Sequence, residues 1–240
     1  AGAGGSGACL VFHDGAETRD AMMLAARRGR GMPARMIPLE AFHPASVGID
    51  LLLGAIAYGA SQAVLVLTPQ QDAEYGAAVR AQLGYAQTVL TALGYQGEHL
   101  HALAPETGAA LEQVLWLLEP ASGVPEAAVY NLSAEKRTSL EFAIEHLARH
   151  APTPTQEIGL ARGAPYGRLE LNKETCTMCM SCVGACPASA LASSPERPQL
   201  RFIERNCVQC GLCVNTCPEK AITLAPRLLL TPQAKAEQLL

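Results

Sequence analysis

The sequence predicts an α/β protein with a layered, parallel-sheet N-terminal domain and a small C-terminal α+β domain that contains a pseudo-two-fold repeat. Three observations support this prediction. Strand and helix patterns alternate through the first half, eight of the nine cysteines lie between Cys176 and Cys217, and their spacing pattern occurs twice. Alternating strands and helices indicate parallel pairing through helical crossovers. The predicted parts are an α/β docking or ligand domain at 1–125, a helical connector with a Pro/Gly-rich linker at 126–165, the repeat domain at 166–226 and a tail at 227–240.

Four short apolar runs in the first half read as strands. They are "ACLVFHD", "ARMIPLE", "AVLVL" and "EHLHAL". The segment "AETRDAMMLAARRG" predicts a helix that closes at a glycine, and a second helix runs from about Ala45 to Gly59, a typical C-terminal cap. Thr68 followed by Pro69 predicts the start of a third helix, which extends toward Gly94. A fourth helix carries an apolar face formed by Leu111, Val114, Leu115 and Leu118.

The longest charge-free stretch, from Leu51 to Gln71, raises the question of a membrane span. Glycines, polar residues and a proline interrupt it, so it divides into a helix, a turn at Gly59 and a buried strand. No membrane span is therefore expected. The start "AGAGGSG" lacks the features of a signal peptide.

Polar side chains end the first and third predicted strands. His13, Asp14, Thr68, Gln71 and Asp72 are therefore candidate cofactor-binding residues at the carboxyl edge of the sheet. The alternative is that they are turn and cap residues. The glycines of "GAGGSG" match G-x-G-x-x-G, but they precede a strand instead of following one, so a linker is the default reading.

A helix from Ser133 to about His150 is predicted to bury Leu140, Ile144 and Leu147, with Ser133 as its cap. The stretch "APTPTQEIGLARGAPYG" that follows carries three prolines and three glycines, which indicates a domain boundary. "RLELN" should then form a short strand that leads to Cys176.

Composition and charge exclude some functions. Charged residues make up 17% of the chain and the formal net charge is −4, without a basic patch of the kind that binds nucleic acids. Dense cysteines can indicate disulfides, but that interpretation requires a small secreted domain. A reducing, cytoplasmic location with cysteines as metal ligands fits better. Cys9, inside an apolar strand, is expected to be a buried and inert thiol.

The cysteine-rich region contains two copies of one motif. "CTMCMSCVGACPASAL" recurs 31 residues later as "CVQCGLCVNTCPEKAI". Two zinc sites of four thiolates each are one interpretation, but zinc modules usually use separated C-x2-C pairs. Both copies read C-x2-C-x2-C-x3-C-P, and over residues 166–226 the chain resembles bacterial ferredoxins that hold two 4Fe-4S clusters.

This resemblance implies two 4Fe-4S clusters with crossed ligands. Cluster 1 would be held by Cys176, Cys179, Cys182 and Cys217, and cluster 2 by Cys207, Cys210, Cys213 and Cys186. A dry shell around the clusters is expected from Val183, Val214, Ile203, Leu212 and Ile222. The region between Tyr166 and Pro226 contains six Lys/Arg and five Glu residues, unlike the acidic surface of a small diffusing ferredoxin, so a fixed relay in a larger protein or complex is expected.

The N-terminal half resembles the delta subunit family of methyl-viologen-reducing hydrogenase, in the order "MIPLE…GIDLLLGAIAYGASQAVLVL…LTALGY". That family carries cluster-ligating cysteines near the end of its first strand. Here "HDGAET" stands in that place, so docking is the expected role.

The main hypothesis is an electron-transfer iron–sulfur protein that serves a redox enzyme or complex of the hydrogenase, heterodisulfide reductase or formate dehydrogenase type. The alternatives are a redox enzyme subunit whose α/β domain binds a flavin or nucleotide, and an interaction module with structural clusters. No constellation of residues suggests independent catalysis.

Overall fold

The computed structural model describes residues 7–15, 17–68, 73–194, 196 and 199–240. The chain divides into two compact units between Pro154 and Thr155. The four predicted N-terminal strands are present, and their parallel sheet has the order β2-β1-β3-β4. The elements of the first unit are β1 (Cys9–His13), α1 (Glu17–Arg28), β2 (Met36–Glu40), α2 (Ile49–Ala57), β3 (Gln62–Val66), α3 (Ala73–Ala92), β4 (Leu100–Leu103), α4 (Gly108–Leu117) and α5 (Lys136–Arg149).

Helices cover the central strands of this sheet. All five residues of β3 are buried, as expected of a parallel strand with both faces covered. Cys9 and Val11 point to one face, where they pack with Met22 of α1 and Leu111 and Leu115 of α4. The other helices, α2 and α3, contact β3 and β4, respectively, and α5 packs against α2. The apolar residues of α5 are thus buried within the first unit, so the helix of the predicted connector belongs to that unit.

Strand β2 forms one edge of the sheet. Its residues after Met36 are exposed, including Ile37 and Leu39. Pro38 lies in the middle of β2, and a proline without a backbone N–H is tolerated in an edge strand.

Several predicted helix ends differ from the structure. Helix α2 begins at Ile49, after a separate 3-10 turn at Pro44–Ser46, although its end at Gly59 (φ 101°) is as predicted. Ser133 does not cap α5; Glu135 holds that position without a side-chain bond, and the Ser133 hydroxyl accepts from the Glu135 amide instead. On α4, Leu111 and Leu115 are buried but Val114 is 36% exposed. The buried face of α4 is therefore narrower than predicted.

The second unit consists of short antiparallel strands and two single-turn helices. Strand β9 pairs with β5 and β6, while β8 pairs with β7 and β10, so residues beyond 226 take part in both small sheets. The elements are β5 (Glu157–Gly159), β6 (Gly167–Leu171), α6 (Ser181–Gly184), β7 (Leu191–Ser193), β8 (Leu200–Phe202), α7 (Leu212–Thr216), β9 (Ile222–Leu229) and β10 (Gln238–Leu239).

The stretch Leu51–Gln71 begins as α2, turns at Gly59 and continues into β3, as predicted. Across the described ranges, none of the helices has both the length and the hydropathy that a membrane span requires.

Candidate metal centres

The two cysteine runs share one backbone conformation. Non-glycine residues with positive φ are uncommon, and within the described residues all five lie in these two runs. With Gly211 they form three pairs, each 31 residues apart: Met178 (56°) with Gln209 (55°), Met180 (61°) with Gly211 (79°), and Ser189 (48°) with Lys220 (50°). The repeat in the sequence is therefore also a repeat in the structure.

The first of two cysteine-lined cavities lies beside α6. Four cysteines line it: Cys176, Cys179, Cys182 and Cys217. Three belong to the first run and Cys217 ends the second. Cys179 is exposed, whereas Cys182 is buried.

The second cavity has the mirrored set of cysteines. Its cysteines are Cys186, Cys207, Cys210 and Cys213. Here Cys210 is exposed and Cys213 is buried, as at the equivalent positions of the first run. The structure thus brings together the two sets of four cysteines that the ferredoxin resemblance implies as ligand sets.

A single metal ion and a 4Fe-4S cluster require different arrangements of four thiols. A structural zinc site gathers four ligands around one point, each sulfur about 2.3 Å from the metal. Among the residues that the structure describes, no three His, Cys, Asp or Glu side chains are close enough to hold one metal ion. The cysteines instead surround cavities, and four thiols around each cavity fit the donor set of a 4Fe-4S cluster.

Backbone amides donate to the last cysteine of each run. The Ala190 amide is 3.3 Å from Cys186 Sγ, and the Ala221 amide is 3.3 Å from Cys217 Sγ. The turn that follows each C-P pair creates both bonds in the same way. N–H donors to the sulfurs are among the factors that set the reduction potential of an iron–sulfur cluster, which further supports the fit.

Burial and hydrogen bonding shift the pKa values of these thiols in opposite directions. Burial raises the pKa of Cys213 to about 11, and it also raises the pKa of Cys182. For Cys207, burial raises the pKa, while hydrogen bonds from the backbone and side chain of Gln209 lower it. A hydrogen bond from Ser181 lowers the pKa of Cys179. Because iron binds thiolates, loading of the buried positions must release protons.

The apolar shell around the cavities differs from the prediction in part. Ile222 is buried, and Val183 and Val214 pack against the same core as expected. Leu212 is 46% exposed and is wrongly assigned to the shell, because it begins α7 on its solvent side. Ile203 is only partly buried and is not part of this core. The main apolar contributors are instead strand residues: Leu169, Leu191, Leu200 and Phe202.

A buried ion pair fixes the turn that precedes the second run. Arg227 of β9 donates two bonds to Glu204, from Nε to Oε1 at 2.8 Å and from Nη2 to Oε2 at 2.7 Å. Its Nη1 donates to Glu157 of β5 at 2.9 Å. Glu204 is 3% exposed and starts the 3-10 turn that delivers Cys207.

Of the candidate residues at the carboxyl edge of the N-terminal sheet, the structure describes His13, Asp14 and Thr68. The Thr18 amide donates to Asp14 Oδ1 at 3.0 Å, so Asp14 caps the start of α1. His13 is buried, with Nδ1 2.6 Å from the Asp14 carbonyl oxygen. Thr68 lines a nearby cavity that neither residue lines. Gln71 and Asp72 lie outside the described residues.

These features define the second unit as an iron–sulfur domain with a ferredoxin-like fold. Residues 161–222 match the family model of the 4Fe-4S dicluster domain. No curated protein matches the chain. The dicluster match indicates iron–sulfur electron transfer. Because the match begins at residue 161, it gives no support to the resemblance of the N-terminal half to the hydrogenase delta subunit family.

Proposed function

We propose that this chain relays single electrons through two 4Fe-4S clusters, with Cys176, Cys179, Cys182 and Cys217 at one and Cys186, Cys207, Cys210 and Cys213 at the other. The observation that supports this most strongly is the exchange of one cysteine between the runs at each cavity. Each cluster, when bound, can accept and release one electron.

The protein residues supply different functions at each cavity. Buried cysteines and the apolar strand residues exclude water from the inner side, while amides such as those of Ala190 and Ala221 hold the sulfur atoms of the crossed cysteines. One cysteine of each set, Cys179 or Cys210, is exposed. These two positions are the points at which we expect redox partners to approach.

An anaerobic redox titration followed by electron paramagnetic resonance tests this function. The proposal expects two reversible one-electron reductions per chain. A single one-electron reduction would contradict the proposed electron relay. Signals from only one cluster in a fully iron-loaded sample would also contradict it.

We further propose that the chain serves a redox enzyme or complex of the hydrogenase, heterodisulfide reductase or formate dehydrogenase type, with the first unit as the docking module. Exposed apolar side chains on and after the edge strand support docking: Ile37, Leu39 and the fully exposed Phe42. Phe42→Ser should weaken binding to a purified enzyme of the correct type without changing iron content. Val129→Ser, at another fully exposed apolar residue, is the matched control.

A further inference from the structure

Gln209 places an amide nitrogen against a candidate cluster ligand. Its Nε2 is 3.4 Å from Cys207 Sγ and 3.3 Å from the carbonyl oxygen of Arg168. An amide nitrogen carries two hydrogens, and both contacts offer an acceptor. Each hydrogen of Nε2 therefore has a partner.

The orientation of this amide is determined by its surroundings. Exchanging nitrogen and oxygen would place Oε1 against the Arg168 carbonyl oxygen and the Cys207 sulfur, and neither a carbonyl oxygen nor a thiolate ligand can donate. In the observed orientation Oε1 is buried and, among the described residues, has no hydrogen-bond partner. A Cβ atom at Gly167 would lie 2.7 Å from Gln209 Nε2, so the amide packs directly on the Gly167 backbone. The contacts of Nε2 and of the Gly167 backbone thus hold the side chain in place, although Oε1 is left without a hydrogen bond.

The first run has no equivalent donor. Met178 occupies the matching position, with Sδ 3.9 Å from Cys176 Sγ, and a thioether has no hydrogen to donate. The Ser181 hydroxyl does lie 3.4 Å from Cys179 Sγ, but Cys179 is exposed, so water competes with that bond. Cys207 is buried, where a hydrogen bond is electrostatically stronger.

We infer that Gln209 raises the reduction potential of the cluster at the second cavity by donating an amide hydrogen bond to the Cys207 sulfur, an inference that rests on the proposed function. Reduction adds negative charge to the cluster and its sulfurs. A fixed N–H donor stabilises the reduced form more than the oxidised form, so its removal should make reduction harder.

The repeat provides matched variants. Met178 and Gln209 have nearly the same φ, 56° and 55°, so Gln209→Met places in the second run a residue that the first run already accommodates in this conformation. This variant should lower one midpoint potential and leave the other unchanged. The expected change in the reduction equilibrium is on the order of tenfold, or about 59 mV for one electron. Met178→Gln should raise the other midpoint potential.

Anaerobic redox titrations of the full chain, with iron and sulfide contents measured on the same samples, test the inference. Three results for Gln209→Met at unchanged cluster content would overturn the inference. They are an unchanged midpoint potential, an upward shift of that potential, and equal shifts of both midpoint potentials. If Gln209→Met loads poorly, Gln209→Leu also removes the donor without adding a charge, and it should lower the same midpoint. A wild-type chain without iron and sulfide would instead refute the proposed function.

Discussion

Cys186 and Cys210 line the same cavity, although they belong to different copies of the cysteine repeat. Cys217 and Cys179 have the reciprocal relationship at the other cavity. If these cavities hold the clusters, each cluster joins both copies, and metal binding contributes to the folding of the whole small domain.

This crossing predicts which cluster each variant damages. Cys186→Ala removes a ligand from the second cavity, so its paramagnetic spectrum should resemble that of Cys207→Ala, because both variants leave the first cluster intact. Cys176→Ala is the control, and it should leave the cluster at the second cavity intact. If Cys186→Ala gives the spectrum of Cys176→Ala, each run holds its own cluster and the crossed assignment is wrong.

The ion pair between Arg227 and Glu204 should stabilise the second unit. Glu204→Gln removes a buried, charge-assisted interaction and is expected to weaken the folded state by about 1.5–3 kcal/mol. Glu157→Gln is the matched control, because Glu157 is 50% exposed and its pair with Arg227 should contribute less than about 1 kcal/mol. The temperature at which the anaerobic protein loses its visible absorption should fall clearly for the first variant only. Equal losses for both would contradict this role.

Two buried histidines should make the first unit sensitive to acid. Burial lowers the pKa of His99 and of His101 below the ordinary value of 6.5, and for His101 it outweighs the opposing effect of Glu98. His101 also disfavours the charge of His99, and Arg35 disfavours the charge of His101. The unfolded state therefore binds more protons than the folded state in this range, so stability is complete above about pH 6.5 and falls as the pH decreases below it.

Urea unfolding followed by fluorescence measures this effect, because the single tryptophan, Trp116, lies on α4 of the first unit. The midpoint should decrease between about pH 7 and pH 5.5, and each histidine can contribute at most about 1.4 kcal/mol per pH unit. His101→Gln should reduce this slope. A midpoint that is constant or rises over this interval would contradict the prediction.

The sequence predicts most of the architecture because its signals are local. The four parallel strands are short and mainly apolar, and Gly59 and Gly94 follow the ends of helices at positions with positive φ. The pairing of β5 with β9 and of β8 with β10 could not be predicted, since strands of two or three residues show no alternation of polar and apolar residues. Whether α5 belongs to the first unit depends on its packing against α2, a long-range contact with no local signal.

The candidate metal site likewise has features that the sequence predicts and features that it does not. The cysteine spacing and the resemblance it supports imply two sets of four cysteines, which the structure places around two cavities. The sequence alone does not single out Gln209, because a glutamine between two cysteines carries no distinctive signal, although its counterpart in the repeat is a different residue, Met178. Leu212 was misassigned because a helix of five residues is too short to reveal its buried face.

The iron, sulfide and zinc contents of the anaerobically purified chain, measured with its visible spectrum, decide whether the two cavities hold 4Fe-4S clusters. Two 4Fe-4S clusters predict a brown protein with about eight iron and about eight acid-labile sulfide per chain. Stoichiometric zinc in a colourless protein prepared in the same way would contradict the account.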